Sequence, residues 1–193
     1  MKLLEKRIVK DGLALGTEIV KVDSFLNHQI DIEFILHLGR EFQMLFGASG
    51  VNKILTMESS GISIAMATAM AYGNIPVLFA KKAKPNTMVE DVYQARVKSF
   101  TKGVESIAFV SRKFLSAADR VLIIDDFLAH GEAACGMVDI VRQAGAELIG
   151  VGAVIEKEFQ GGGTRLRAMG VELHSLACIS KIENGWIHFK YED

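Results

Sequence analysis

The chain has 193 residues, 50% of them hydrophobic and 23% charged, and its formal net charge at pH 7 is −1. This length and apolar content suit one α/β domain that buries a sizeable core without disulfides or metals. The near-zero net charge argues against non-specific binding to nucleic acids or anionic membranes. No run approaches the roughly 20 apolar residues of a membrane span, and the N-terminus lacks the apolar stretch of a signal peptide.

The first part of the chain contains two helical patterns. Residues 2–10 predict an amphipathic helix that ends at Asp11-Gly12, and residues 20–28 are turn-prone. Asp31 can cap a second helix. The predicted core face of that helix consists of Ile35, Leu38, Phe42 and Leu45.

Two short apolar runs then predict buried strands, over residues 51–57 and 75–80. A tight turn over residues 58–61 leads from the first of them into an apolar helix that ends near Gly73. Strands that alternate with helices at this spacing predict βαβ units and therefore a parallel sheet.

The pattern changes after the second strand. Residues 81–87 are basic and contain a proline, which predicts a mobile loop. Two strand patterns follow, over 93–100 and 105–111, and the turn 101–103 between them predicts a β-hairpin.

The last part of the chain predicts another buried strand over residues 149–155. Three glycines, 161–163, predict a flexible linker into a short helix that ends at Gly170. Asn184-Gly185 predicts the turn of a second β-hairpin.

The two cysteines, Cys135 and Cys178, have no spacing typical of metal ligands and stand in apolar surroundings. This usage indicates buried thiols in a reducing compartment. We therefore expect a cytoplasmic protein.

Residues 121–133 are the most informative segment. Four apolar residues predict a strand buried on both faces, and Asp125 and Asp126 follow where that strand should leave the sheet. A turn containing Gly131 then leads into a helix. Backbone amides at a helix start bind phosphate, and a pair of carboxylates accepts hydrogen bonds from vicinal ribose hydroxyls. The segment therefore predicts a site for a phosphorylated sugar, although an acidic pair at a strand end can also be a helix cap and its solvated neighbour.

This segment resembles the phosphoribosyl-pyrophosphate motif of the type I phosphoribosyltransferases. Four further segments make the chain similar to the bacterial xanthine phosphoribosyltransferases over nearly its whole length: 20–29, 58–61, 99–102 and 156–159. The resemblance implies an open, mainly parallel twisted sheet flanked by helices, with a flexible β-hairpin. It also implies a single domain over residues 1–193, with a core over about 38–160 and a small purine-binding lobe from about 1–37 and 161–193.

The resemblance also assigns roles to residues. Asp125 and Asp126 would hold the ribose. The residues that would contact xanthine are Val20, Asn27 and Lys157. The residues that would hold phosphoribosyl pyrophosphate are Ser59, Ser60, Gly61, Ala129, His130, Gly131, Glu132 and Ala133. Lys81 lies where a cation would serve the pyrophosphate leaving group, although a basic run is usually a solvated edge.

The chain departs from the family pattern at four positions. Ala129 stands where the hypoxanthine-guanine branch has a general-base Asp, and His130 where xanthine-specific members have Asn. The phosphate loop lacks the hydroxyls that the broader family often has, so its phosphate binding depends more on backbone amides. Glu132 would repel a phosphate if its side chain turned inward, so we expect it to point outward. Lys98 replaces an expected Tyr in the hairpin.

The implied reaction transfers the phosphoribosyl group from phosphoribosyl pyrophosphate to xanthine, with Mg²⁺ carried by the donor. A homodimer is the implied assembly, to which the N-terminal helix could contribute, with neither nucleic acid nor membrane as partner. Two alternatives are a guanine or hypoxanthine phosphoribosyltransferase and a non-catalytic purine regulator that senses phosphoribosyl pyrophosphate. A DNA-binding regulator needs a preceding module, for which a first core strand at about residue 51 leaves little room.

Overall fold

The structure, a computed structural model, describes residues 2–47, 50–82, 91–99 and 104–190. Its helices are α1 (Lys2–Asp11), α2 (Ile32–Phe46), α3 (Gly61–Ala71), α4 (Glu132–Gln143) and α5 (Gly162–Ala168). Its strands are β1 (Leu13–Leu15), β2 (Ile19–Lys21), β3 (Lys53–Met57), β4 (Val77–Ala80), β5 (Val92–Ser99), β6 (Val104–Ser111), β7 (Arg120–Leu128), β8 (Glu147–Lys157), β9 (Leu173–Glu183) and β10 (Trp186–Phe189).

Six of these strands form the central sheet, in the order β10-β9-β8-β7-β3-β4. The pairings β3–β4, β3–β7, β7–β8 and β8–β9 are parallel, and β10 is antiparallel to β9. The predicted open, mainly parallel sheet flanked by helices is confirmed. Both predicted hairpins are present as β5–β6 and β9–β10, and a third small hairpin, β1–β2, lies near the N-terminus.

Hydrophobic side chains cover both faces of the sheet because successive residues of a strand point to opposite sides. In β7, Leu122 and Ile124 belong to the buried cluster on one face of the sheet, with residues of α1, α2 and α3, whereas Val121 and Ile123 belong to the cluster on the other face, with residues of α4, α5 and the β5–β6 hairpin. All four side chains are fully buried. The continuous apolar run in the sequence is therefore explained by a core on each side of the central strand.

Helix α2 shows a predicted feature and an error. The Asp31 carboxylate accepts a 3.2 Å hydrogen bond from the Phe34 amide, so the predicted cap is confirmed. Leu45, predicted in the core, is 44% exposed. The buried stripe continues from Phe42 to Phe46, one helical turn further on, which leaves Leu45 beside it.

Three other expectations need correction. The strand predicted as buried at 75–80 is the shorter edge strand β4, in which Ala80 is buried, Val77 and Leu78 are partly buried and Phe79 is exposed. Gly161–Gly163 is not a flexible linker: Gly161 precedes α5, and Gly162 and Gly163 are buried residues of that helix. Cys135 is buried as predicted, but Cys178 is only partly buried.

Some expectations lie outside the described residues, namely most of the predicted loop 81–87 and the hairpin turn 101–103. The division into a core and a purine-binding lobe stays a prediction, and strands β9 and β10 are hydrogen-bonded into the central sheet. No helix in the described part of the chain combines the length and apolar character needed to cross a membrane.

Candidate active site

The predicted site residues lie along the carboxyl edge of the parallel sheet. The turn 58–61 follows β3, Lys81 follows β4, Asp125 and Asp126 lie near the end of β7, and Lys157 ends β8. Parallel strands bring these ends to one edge, where ligands bind in open α/β sheets.

Asp126 joins three of the predicted segments. Its Oδ2 accepts a 3.1 Å hydrogen bond from the Asn27 amide, and its Oδ1 accepts one of 3.1 Å from the Ser60 hydroxyl. Asn27 is separated from Asp126 by 99 positions and Ser60 by 66, so folding alone brings them together. The carboxylate therefore holds the 23–27 helical turn and the turn after β3 against the end of β7.

Asp125 has a different environment from its neighbour. Its Oδ1 accepts a 3.0 Å hydrogen bond from the Asp126 backbone amide, and its side chain is buried. Burial, followed by repulsion from the Asp126 carboxylate, raises the pKa of Asp125 well above its usual range. The nearby charge of Lys82 acts in the opposite direction but does not reverse this shift.

Gly61 is required by the close packing of the turn after β3. A Cβ atom at this position would lie 2.2 Å from the Thr56 hydroxyl and 2.7 Å from Asp125 Oδ1. Only glycine lets the start of α3 approach the acidic pair this closely.

The two lysines after β4 have different contacts. Lys81 exchanges two backbone hydrogen bonds with Phe109 of β6, of 3.0 and 2.9 Å, and its ammonium lies 5.7 Å from the centre of the Phe79 ring. The Lys82 amide donates a 2.8 Å hydrogen bond to the Glu58 carboxylate. Of these two lysines, Lys82 is the one whose charge affects the pKa of Asp125.

Lys157 connects the end of β8 to the β1–β2 hairpin. Its ammonium donates a 2.8 Å hydrogen bond to the Glu18 backbone oxygen and lies 5.6 Å from the centre of the Phe127 ring. Burial lowers the pKa of Lys157, against the opposing effect of the Glu18 charge. Val20, from the same hairpin, is buried in the core cluster that α1 and α2 form.

Residues 129–133, here called the 129–133 loop, comprise the connection from β7 to α4 and the first two residues of that helix. Gly131 has φ +81° and, as the residue immediately before the helix, has no side chain with which to cap its first turn. The first amides of this helix are consequently available to an anion. Glu132, which we expected to point outward, forms a 2.7 Å ion pair with Arg165 of α5.

Beside Lys157 lies an ion pair that was not predicted from the sequence, between a buried carboxylate and a half-exposed guanidinium. The Glu156 carboxylate is 1% exposed and accepts two hydrogen bonds from the Arg167 guanidinium, at 3.1 and 3.2 Å. It also accepts a 2.6 Å hydrogen bond from the Ser175 hydroxyl. A glutamate within an apolar strand was the available signal, because a buried carboxylate needs a cationic partner.

Comparison with known proteins identifies close relatives along the whole chain. Xanthine phosphoribosyltransferase from Lacticaseibacillus casei (strain BL23) is 53% identical over 193 residues, which is 100% of both chains. The protein of the same name from Clostridioides difficile (strain 630) is 48% identical over 190 residues, covering 98% of this chain and 100% of that protein. No protein-family model matches the sequence.

The fold is that of solved phosphoribosyltransferases. Adenine phosphoribosyltransferase from Rhodothermus marinus DSM 4252 superposes with a TM-score of 0.70 at 18% identity, covering 93% of this chain and 100% of that one. The adenine enzyme from Thermoanaerobacter pseudethanolicus ATCC 33223 gives a TM-score of 0.67 at 17% identity, covering 77% and 82%. At 17–18% identity these structures establish only the fold, whereas the full-length relatives at 48–53% identity establish the family. The chain belongs to the xanthine phosphoribosyltransferase family, within the type I phosphoribosyltransferase fold.

Proposed function

We propose that this protein transfers the 5-phosphoribosyl group of phosphoribosyl pyrophosphate to N9 of xanthine, giving xanthosine 5′-monophosphate and pyrophosphate in purine salvage. The observation that carries the proposal is the position of Asp126, which hydrogen-bonds both Asn27 and Ser60. One carboxylate thereby links the segments proposed for the base, the ribose and the pyrophosphate.

The donor would lie across the carboxyl edge of β3 and β7. Asp125 and Asp126 accept hydrogen bonds from the ribose hydroxyls, and the first-turn amides of α4, after Gly131, bind the 5′-phosphate. The backbone of the turn 59–61, with the Lys81 ammonium, binds the pyrophosphate. Because the anionic groups of the donor are held at separate points, its anomeric carbon is fixed in position.

The acidic pair also fits a magnesium ion carried by the donor. Mg²⁺ takes one or two carboxylates together with phosphate oxygens and water, and Asp125 and Asp126 place two carboxylates side by side. Although both Asp126 oxygens accept hydrogen bonds, each keeps a further lone pair. When bound, the ion would neutralise the charge that develops on the pyrophosphate.

Xanthine would lie between the 20–27 segment and Lys157. The Lys157 ammonium, now bonded to the Glu18 carbonyl, can donate instead to a purine oxygen. Asn27 has a donor and an acceptor for the base, whereas the Val20 side chain is buried in the core, so Val20 would contact the base through its backbone. The ammonium favours an oxo group over the amino group of adenine, which would explain a preference for oxopurines such as xanthine over adenine.

Pyrophosphate departure and attack by the purine nitrogen invert the anomeric carbon, through a transition state that resembles an oxocarbenium ion. In this scheme the protein holds the donor and the base in line and provides cations and amides to the leaving group. Ala129 has no proton-accepting group, so the proposal assigns no base to that position.

The test is a comparison of four purines with the wild type and Lys157→Ala. Xanthine should be the best substrate and adenine a negligible one. Lys157→Ala should lower kcat/KM for xanthine at least about tenfold, since a charge-assisted hydrogen bond is lost, and leave donor affinity unchanged. Lys181→Ala removes an exposed lysine from β9 and serves as the matched control.

Three results would overturn parts of the proposal. Equal use of guanine or hypoxanthine would shift the substrate to those purines, and donor binding without pyrophosphate release would indicate a regulator. If Lys157→Ala weakened only donor binding, Lys157 would belong to the phosphate site.

We also propose a homodimer in the cytoplasm. Helix α1 buries Leu4 and Ile8 but exposes half or more of Leu3 and Val9, which provides an apolar surface for a second copy. Light scattering after size exclusion would measure the mass, and a homodimer should have twice the 21.1 kDa of one chain. Both cysteines are free thiols, and burial raises the pKa of Cys178 to about 11, so this thiol stays protonated at neutral pH.

A further inference from the structure

The start of α5 is tied to the 129–133 loop at three points. The Gly162 amide donates a 3.0 Å hydrogen bond to the Ala129 carbonyl, and His130 Nδ1 lies 3.1 Å from the Gln160 carbonyl oxygen. The third contact is the 2.7 Å ion pair from Arg165 Nη1 to Glu132 Oε1. Residues 160–165 thus contact three of the five loop residues, although the sequence suggested a flexible linker there.

Glu132 creates an electrostatic problem for the proposed phosphate site. It is the first residue of α4, where the helix amides and the positive helix end attract any anion. Its carboxylate can therefore compete with a phosphate for these amides, and it repels a phosphate bound there. Gly131, the residue before the helix, has no side chain that could occupy these amides, so the Glu132 carboxylate can reach them.

We infer that Arg165 is a positioning residue that holds the Glu132 carboxylate away from the phosphate-binding amides and neutralises its charge. The inference rests on the proposed function, and it deepens the description of the phosphate site. Arg165 lies on another helix, so its guanidinium draws the carboxylate toward α5. The Gly162 and His130 contacts hold the loop backbone against the same helix.

The experiment compares Arg165→Ala, Glu132→Gln and the double variant with the wild type. Arg165→Ala should raise the KM for phosphoribosyl pyrophosphate about tenfold, because one unpaired charge then lies near the phosphate, and added salt should reduce this effect. The KM for xanthine should not change. The double variant should return to within about twofold of the wild-type donor KM, since Glu132→Gln removes the repelling charge.

Binding of ribose 5-phosphate by calorimetry provides a second measurement that needs no turnover. The same order of affinities should appear, with only Arg165→Ala weakened. Absence of transfer by the wild type would refute the proposed function, whereas this titration still tests Arg165 independently.

Two outcomes would overturn the inference. A double variant that keeps the raised donor KM would show that Arg165 contacts the phosphate itself. An Arg165→Ala variant with wild-type donor KM and ribose 5-phosphate affinity would show that the ion pair has no role at the loop. Arg142→Ala removes an exposed arginine from the last turn of α4 and is the control, for which we expect wild-type values.

Discussion

The two adjacent aspartates near the end of β7 have different hydrogen bonds, and the ionisation of Asp125 affects the stability of the fold. Asp126 accepts hydrogen bonds from two side chains, whereas Asp125 is buried and accepts one from a backbone amide. The pKa of Asp125 is raised mainly by burial, so the folded protein binds this proton more tightly than the unfolded chain does. As the pH rises above about 4, the unfolded chain loses the proton first, and the free energy of unfolding falls. Burial of the Asp125 carboxyl therefore lowers the free energy of unfolding at neutral pH.

The first prediction is that Asp125→Asn raises the melting temperature while it lowers activity. The amide oxygen can still accept from the Asp126 backbone, and no charge is buried. A gain of about 1 kcal/mol would raise Tm by roughly 2–4 °C in a chain of this length. The gain should be measurable at pH 7 without donor or metal and should vanish below about pH 4.

The matched control is Asp126→Asn, which replaces an acceptor oxygen with a donor beside Asn27 and Ser60. We expect no gain in Tm from it. With both changes together, kcat/KM at low donor concentration should fall at least about tenfold, because charge-assisted hydrogen bonds to the ribose are lost. A higher Tm for Asp126→Asn, or unchanged activity in the folded double variant, would contradict this account of the pair.

At the scale of elements, the contact of α5 with the 129–133 loop was not predicted from the sequence. Three consecutive glycines are typical of a flexible linker. In the structure a Cβ at Gly162 would lie 2.3 Å from the Ala129 carbonyl oxygen and 2.6 Å from the Gly131 amide. Glycine is present here because two backbone segments nearly touch, and no local pattern encodes that contact.

We predict that Gly162→Ala displaces the 129–133 loop. Both clashing atoms belong to the backbone and cannot rotate away, so the donor KM should rise about ten- to a hundredfold while the KM for xanthine changes little. Initial-rate kinetics with each substrate varied in turn would measure this difference.

Two further substitutions on α5 serve as controls. Thr164→Ala changes an exposed residue of the same helix and should have no effect. At Gly163 a Cβ would meet the Glu156 carboxylate instead, so Gly163→Ala should lower Tm more than it changes donor binding. Equal effects on both substrates from Gly162→Ala would mean general destabilisation rather than loop displacement.

At the scale of the molecule, the sequence predicted the layout of the site better than its contacts. Buried strands and their polar ends were evident, so the meeting of the 58–61 turn with Asp125 and Asp126 at one sheet edge followed from parallel pairing. The Asn27–Asp126 hydrogen bond and the Glu132–Arg165 ion pair did not follow, since each joins residues that only the packing of separate elements brings together. The edge position of β4 depends on strand order, which apolar content does not specify.

The purine must lose a proton when its nitrogen attacks the anomeric carbon, and the described part of the proposed site offers few groups to accept it. Ala129 cannot accept it, and its carbonyl oxygen is hydrogen-bonded to Gly162. The Glu156 carboxylate is paired with Arg167 and hydrogen-bonded to Ser175. Xanthine is more acidic than hypoxanthine or guanine, and at the proposed base site the Lys157 ammonium would favour its anion by opposite-charge attraction. Substrate ionisation can thus replace a protein base.

We therefore predict that kcat/KM for xanthine rises with pH as xanthine itself ionises, and falls again as Lys157 loses its proton. Because burial lowers the pKa of Lys157, this fall should begin below the usual range for lysine. The measurement is a pair of pH profiles, one with xanthine and one with an analogue of altered acidity. The rising limb should move with the acidity of the analogue, and Lys157→Ala should lose the falling limb. A rising limb that stays in place would mean that a protein group accepts the proton, and the mechanism would be wrong.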